Sequence, residues 1–344
     1  ARRYRFIWVA NLDLQFAVLL TICYNIDMIQ AYFNIFAIFA MMFVGYFLSY
    51  KKWFDSHTAD VFSKMVLGLA LPFEMFITLT QKFSKGEFLN LFASIIVPVL
   101  SMILSYWVSK GMATLLSVDK HRLGTFSTMF TCSNTIFIGL PINMAIFGSQ
   151  AVPYVLIYYI ANTTCFWTWG IYKISQDSQT FAHVAVAQSF SLIDGLKKLL
   201  NPAMLGFLVG IAWLLTGVKV PLALASFSTY IGNLTTPLSM FIIGITVYFL
   251  GISTLKLNKA IVGVLLGRFI ISPLLIILIT RVIQLPDMMV KVFFIQSAMP
   301  IQNSVPILAR LYHADVEFAT ATLGYTVLSY LAVVPMLLAV MQFI

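Results

Sequence analysis

The chain has 344 residues, of which 60% are hydrophobic and only 10% charged, and its formal net charge is +9. A soluble domain carries about 25% charged residues to solvate its surface, so this composition excludes a soluble globular protein and indicates one embedded in a lipid bilayer. The basic residues are scattered along the chain, singly or in adjacent pairs, which argues against nucleic-acid binding. Three cysteines, Cys23, Cys132 and Cys165, are too few and too dispersed for a disulfide framework or a zinc site.

Residues 1–27 do not follow the pattern of the rest of the chain. Residues 6–24 are apolar enough for a helix, but Asn11, Asp13 and Gln15 interrupt them, and an aspartate near the bilayer centre costs about 2.5–3.5 kcal/mol. Several arginines precede them, as in a signal peptide, but no small-residue cleavage site follows. We expect an N-terminal extension or a peripheral helix, and Met28 as the native start is an open alternative.

Ten apolar segments follow, each long enough to cross about 30 Å of hydrocarbon as a helix. These segments are residues 29–50, 61–81, 87–109, 124–147, 151–173, 199–217, 222–250, 259–283, 288–311 and 317–342. We therefore predict an all-α polytopic membrane protein with ten core transmembrane helices, numbered here from one to ten.

The distribution of basic residues between loops predicts the orientation of these helices. Loops after odd-numbered helices carry most of the basic residues, namely Lys51, Lys52, Lys110, Lys120, Arg122, Lys173, Lys197, Lys198, Lys256, Lys259 and Arg310. Loops after even-numbered helices carry Lys82, Lys85, Lys219 and Arg281. Because cytoplasmic loops are enriched in Lys and Arg, we expect a multi-pass plasma-membrane protein with its C-terminus outside and the longest loop, 174–197, in the cytoplasm.

That loop divides the chain into two related halves, residues 28–173 and 198–344. Helix two contains Pro72-Phe-Glu-Met-Phe-Ile, and helix seven contains Pro237-Leu-Ser-Met-Phe-Ile. Prolines also recur in corresponding positions of helices three and eight and of helices four and nine. Since each half has five helices, the second half enters the membrane from the opposite side. The pattern predicts an inverted-topology repeat, an architecture typical of secondary transporters.

In such folds a discontinuous helix from each half meets its partner near the membrane midplane, and helices four and nine supply a matching pair, with Gly139 and Pro141 in one and two prolines in the other. Proline removes an amide donor and frees carbonyls, and freed backbone is tolerated at membrane depth only where protein or a water-filled cavity satisfies it. An alternative is a pair of simple kinks whose amide side chains bridge helices. The residues that we expect to bind substrate at the two breaks are Asn134, Thr135, Pro141, Asn143, Pro300, Gln302, Asn303 and Pro306.

At these residues the chain resembles the auxin efflux carrier family of membrane transporters, whose bacterial members include malate and other organic-acid permeases. Residues 298–315 are similar to the family's helix-nine signature and residues 134–141 to its helix-four signature. Asn201-Pro202, Thr236-Pro237 and Arg268 preceding Pro273 also fit, and the match covers about residues 29–344.

The resemblance implies two inverted five-helix repeats, a scaffold domain, and a transport domain in which helices four and nine cross at Pro141 and at Pro300 or Pro306. Plant members transport an aromatic carboxylate. This chain departs from them in two ways: it lacks their long hydrophilic loop, and helix three has no acidic residue beyond Glu87 at its edge. The second departure leaves the coupling ion open.

Two charged residues fall inside predicted spans, where ionisable groups are expensive and often functional. Arg268 in helix eight would suit a carboxylate through a bidentate contact, or it could join helices through backbone carbonyls. Glu74 in helix two could carry a coupling proton, or it could be a structural partner or a vestibule acid.

No nucleophile, phosphate-binding loop or metal cluster is visible, so we expect no enzyme activity and no cofactor. The prediction is a secondary active transporter of small organic anions, such as malate or auxin-like acids. Alternating access would occur around a midplane site, coupled to protons or driven by membrane potential. A membrane sensor or scaffold that does not transport is the alternative, and a homodimer is an open possibility. A channel is disfavoured because no ring of selectivity groups is evident.

Overall fold

The computed structural model describes residues 33–34, 36–82, 93–181, 202–250 and 256–344. The predicted extension at 1–27, the edge of helix three at Glu87 and most of the 174–197 linker lie outside the described residues. Within those ranges all regular secondary structure is helical, and no strand occurs. The predicted all-α membrane class is therefore confirmed.

Among the described residues, six helices are long and apolar enough to cross a membrane. They are Ser56–Gln81, Ile96–Leu115, Lys120–Phe147, Leu222–Phe249, Lys259–Val282 and Val316–Met341. Shorter helical segments are Phe36–Tyr50, Val152–Cys165, Phe166–Gly170, Ile171–Phe181, Pro202–Thr216, Asp287–Ser297 and Ser304–Leu311. These helices fall within or extend the ten predicted segments, so the same numbers are kept for them.

Local side-chain chemistry sets several helix boundaries. Helix two begins earlier than the hydropathy pattern predicts, because Asp55 caps it. The Asp55 carboxylate accepts the backbone N–H of Thr58 at 2.7 Å, and the Thr58 side chain in turn accepts the backbone N–H of Asp55. Asp315 begins helix ten by accepting the N–H of Phe318 at 2.9 Å. The same carboxylate pairs with Arg122 at 2.6 Å, which ties the start of helix ten to the start of helix four.

Helices one, two, six and seven pack together as one group. Helix six approaches helix two so closely that a Cβ on Gly206 would lie 2.3 Å from the carbonyl oxygen of Pro72. Only glycine permits this backbone contact. Helices one and seven meet in the same way, since a Cβ on Gly244 would lie 2.0 Å from the carbonyl oxygen of Met42.

Helices three, four, five, eight, nine and ten form the other group. Helix three packs against helices four and eight, helix eight against helix nine, and the end of helix nine against helix ten. Large side chains from helices four and nine, among them Phe126, Phe130, Phe293 and Phe294, are fully buried here. This core surrounds the two broken helices, and helix seven contacts helix four across the boundary between the groups.

Candidate functional site

Helix four is interrupted between two helical stretches. Its first part, Leu123–Thr131, ends at Cys132, whose backbone is extended with φ −98° and ψ 141°. The chain becomes helical again at Thr135–Gly139 and continues as Leu140–Phe147. Asn134 starts this second part, because its side-chain oxygen accepts the N–H of Phe137 at 3.1 Å.

Helix nine is interrupted in the same manner. Its first part, Asp287–Ser297, is followed by non-helical residues 298–303, and the second part is Ser304–Leu311. Asn303 stands at the start of this second part, in the position that Asn134 occupies in helix four.

The two interruptions meet in space. The backbone N–H of Asn134 donates to the carbonyl oxygen of Pro300 at 2.8 Å. The side-chain amide of Asn134 donates to Oδ1 of Asn303 at 3.1 Å. Asn134 is only 4% exposed, whereas Asn303 and Gln302 are half-buried. The structure therefore joins the two predicted breaks through a backbone bond and an asparagine pair.

Further polar groups satisfy the freed backbone around this crossing. Asn162 of helix five brackets Ser133: its Oδ1 accepts the Ser133 N–H and its Nδ2 donates to the Ser133 carbonyl oxygen, both at 2.9 Å. The side-chain amide of Gln296, in helix nine, donates to the carbonyl oxygen of Thr135 at 3.2 Å. The backbone carbonyl oxygen of Gln296 accepts the Ser133 hydroxyl, also at 3.2 Å. Sequence reasoning missed Asn162 and Gln296. In the sequence each of them is only an amide residue within an apolar segment, and this indicates a functional position less clearly than a proline does.

Gly139 lets helices four and nine approach each other. A Cβ on Gly139 would lie 2.2 Å from the side-chain oxygen of Gln296. That oxygen is buried and makes no hydrogen bond to the described residues, although the amide nitrogen of the same side chain does. Gly139 therefore leaves room for the Gln296 amide at the crossing.

Arg268 lies next to the crossing and is completely buried. Its guanidinium donates to the carbonyl oxygens of Phe130 at 3.2 Å and Thr131 at 2.8 Å, at the end of the first part of helix four. It also donates to the carbonyl oxygens of Ser297 and, at 3.1 Å, of Met299. In this conformation Arg268 binds backbone, as one of the two sequence hypotheses stated.

The four half-helices give the crossing a definite charge arrangement. Two helix C-termini, at Thr131 and Ser297, carry partial negative charge, and the Arg268 cation balances both. Two helix N-termini, at Asn134 and Asn303, carry partial positive charge and face each other. An anion placed between the two asparagines would meet two helix N-termini, while the carbonyl oxygen of Pro300 at this point is bound to the N–H of Asn134.

The remaining predicted site residues lie at varied distances from this centre. The carbonyl oxygen of Thr135 accepts a hydrogen bond from the Gln296 side chain, and the Asn143 side chain donates to the carbonyl oxygen of Gly139 at 2.7 Å. Pro141 stands in the first turn of Leu140–Phe147, so helix four breaks before Pro141 and not at it. Pro300 stands within the break of helix nine, and Pro306 in the first turn after it.

Glu74 lies in the other packing group. It is 4% exposed, accepts a long hydrogen bond from Thr78 at 3.4 Å, and packs against Gly232 of helix seven. Its contacts therefore join helices two and seven. Among the described residues, no cluster of three or more His, Cys, Asp or Glu side chains is arranged to hold a metal ion.

Comparison with known proteins identifies relatives over most of this chain. A family model described as membrane transport protein matches residues 30–339, which confirms the resemblance stated from the sequence. An uncharacterised transporter of Methanothermobacter thermautotrophicus is 20% identical over 88% of this chain and 96% of its own. Uncharacterised transporters of Methanocaldococcus jannaschii (MJ1031) and Escherichia coli K12 (YfdV) are each 22% identical, over 83% and 87% of this chain and 91% and 94% of their own.

Proposed function

Because the chain belongs to the membrane transport protein family of the auxin efflux carrier type, we propose that it is a secondary transporter of small organic anions. The substrate class comprises carboxylates such as malate or auxin-like acids. The substrate binds where helices four and nine cross, between Asn134 and Asn303.

The convergence of two helix N-termini at this crossing is the observation that carries the proposal. Asn134 and Asn303 bring their side-chain amides and two helix N-termini to one point, and both features favour a carboxylate. Arg268 supports the site indirectly, because it balances the negative helix ends that would otherwise repel an anion. Its role is to position and polarise the crossing without touching the substrate.

The two packing groups suggest how access alternates. Helices four and nine belong to the group that includes helices three, five, eight and ten, while helices one, two, six and seven form the other. Motion of the first group against the second would expose the crossing to each side of the membrane in turn. The inverted repeat proposed from the sequence supplies two related conformations for this motion.

A thermal-shift measurement on the purified protein tests the substrate class. We expect at least one small carboxylate to stabilise the protein by mass action, while the corresponding neutral carboxamide does not. The double variant Asn134→Ala/Asn303→Ala should lose this ligand-dependent shift. Stabilisation by carboxamides and carboxylates alike, or by no carboxylate in a broad panel, would contradict the assignment.

We also propose that transport is coupled to protons through Glu74. This carboxyl is buried between helices two and seven, and protons that move with an imported anion offset a field worth about 2.3 kcal/mol per charge per 100 mV. Uptake into proteoliposomes should therefore respond to an imposed pH gradient and lose that response in Glu74→Gln. Uptake driven by a sodium gradient alone, or a pH response that survives in Glu74→Gln, would contradict the proposal.

A further inference from the structure

A basic cavity lies away from the crossing, where helices three and five end and helix four begins. Its volume is about 420 Å³, and three lysines line it: Lys110, Lys120 and Lys173. Lys110 Nζ stands 4.8 Å from the ring centres of both Tyr106 and Trp107, and these cation–π contacts hold the ammonium near the rings. Lys173 donates to Gln176 at 2.9 Å. Each of the three ammonium groups can still donate to a ligand in the cavity.

Asp177 is the acidic residue in the wall of this cavity, and its oxygens are already occupied. Oδ1 accepts the N–H of Gly124 at 2.8 Å, and Oδ2 accepts the N–H and hydroxyl of Thr125 at 2.6 and 2.7 Å. Asp177 lies beyond the predicted fifth span, 151–173, and burial raises its pKa to about 7 despite these bonds and the nearby Lys173. A single carboxylate therefore offsets at most one of the three lysine charges.

An apolar groove of about 390 Å³ adjoins this cavity between helices three and five. Tyr106 lines both spaces, so they share a wall. The groove is open along its side, and Ile103 on its rim is exposed. Its walls are almost entirely apolar, and they include Ile95, Val99, Met102, Ile160, Ala161 and Trp169.

We propose that the cavity and groove together form a binding site for one anionic phospholipid. The phosphate lies among Lys110, Lys120 and Lys173, and one acyl chain fills the groove beyond Tyr106. Charge complementarity selects the anionic head, because clustered lysines at the end of a membrane helix attract phosphate-bearing lipids. The groove selects a lipid over a soluble anion, since a free phosphate would leave the apolar walls unfilled.

Native mass spectrometry of the full chain in detergent tests the site, with phosphatidylglycerol and phosphatidylcholine of identical chains as probes. We expect the wild type to bind phosphatidylglycerol about tenfold or more tightly. Lys110→Gln/Lys173→Gln should abolish this preference, because each lysine near an anionic headgroup is worth about fivefold in binding. Lys120→Gln alone should weaken it, which provides a milder variant if the double one is unstable.

Lys51→Gln/Lys52→Gln is the matched control, because Lys51 also stacks on aromatic rings, those of Phe47 and Tyr50, but lies outside the cavity. It should keep the lipid preference. An equal loss in this control would show non-specific surface attraction and overturn the site. Displacement of the lipid by millimolar inorganic phosphate or glycerol phosphate would overturn the lipid assignment, as would equal binding of the two lipids by the wild type.

Discussion

Arg268 shows how much a single residue can organise in a membrane protein. Its position inside an apolar span was evident in the sequence, but its partners were not. Those partners are backbone carbonyls of helices four and nine, and a carbonyl gives no sequence signal. They become available only because both helices end there, so the role of Arg268 depends on two breaks elsewhere in the chain.

Replacing Arg268 with glutamine should severely destabilise the protein. The change would leave several buried carbonyls without donors, and each such loss is worth about 1–3 kcal/mol. We expect folded Arg268→Gln to be scarcely detectable by fluorescence-detected size-exclusion chromatography. Arg281→Gln, at the exposed end of the same helix, should elute like the wild type. Equal thermal stability of the two variants would contradict the role given to Arg268.

The polar residues at the crossing were only partly predictable. Asn303 lies three residues from Pro300 and from Pro306, and Asn134 shares one short stretch with Gly139 and Pro141, so the sequence places both near helix breaks. Asn162 has no such neighbour and lies within a continuous helix, Val152–Cys165. Its importance follows from its two bonds to Ser133, which exist only once helix five packs against helix four.

At the scale of an element, the position of the break in helix four shows that a proline alone does not locate a helix break. Pro141 lies inside the helical stretch 135–147 without ending it, just after the π-helical turn Thr135–Gly139, whose wider hydrogen-bond spacing accommodates a residue without an N–H. The chain unwinds earlier, at Cys132 and Ser133. There the Asn162 side chain and Asn134 supply the hydrogen bonds that the helix gives up. Tertiary partners thus decide where the break falls.

The contact between Gly139 and Gln296 predicts coupling between helices four and nine. Gly139→Ala should destabilise the protein by about 1–3 kcal/mol through overpacking, because the new methyl group would meet the Gln296 side chain. In Gly139→Ala/Gln296→Ala the added methyl should be accommodated, so the two effects should not add. Thermal unfolding of the wild type, both single variants and the double variant measures this. Strict additivity would show that the two helices do not meet as described.

At the scale of the whole molecule, hydropathy alone predicted the helical class, and the six membrane-compatible helices of the described residues overlap predicted segments. It could not predict which helices pack together. Helices two and six are distant in sequence, yet the backbone contact between Gly206 and Pro72 joins them. Close packing of this kind depends on small residues at matching heights in the membrane, and those heights are set only in the assembled bundle.

The loop charges make a prediction about orientation that two engineered cysteines can test. A cysteine at Gln188→Cys, in the 174–197 loop, should be protected from an impermeant thiol reagent applied to intact cells. Lys219→Cys, in the loop after helix six, should be labelled under the same conditions. Both should react after the cells are permeabilised. Ready labelling of position 188 in intact cells would reverse the proposed topology.

The central claim is that an organic anion binds where helices four and nine cross. The most direct measurement is the initial rate of uptake of a stabilising carboxylate into proteoliposomes by Asn134→Ala, Asn303→Ala and Asn258→Ala. Asn258 is a matched control, since its side chain starts helix eight by accepting the N–H of Ile261 at 2.9 Å, away from the crossing. All three proteins should fold, because loss of the helix cap at Asn134 or Asn258 costs about 1 kcal/mol and the Asn303 side chain makes no cap hydrogen bond.

We predict that Asn134→Ala and Asn303→Ala each reduce uptake by about tenfold or more, the effect of losing one polar contact to a charged substrate. Asn258→Ala should transport at close to the wild-type rate. Wild-type uptake by both crossing variants, or an equal loss in Asn258→Ala, would contradict a substrate site at the crossing.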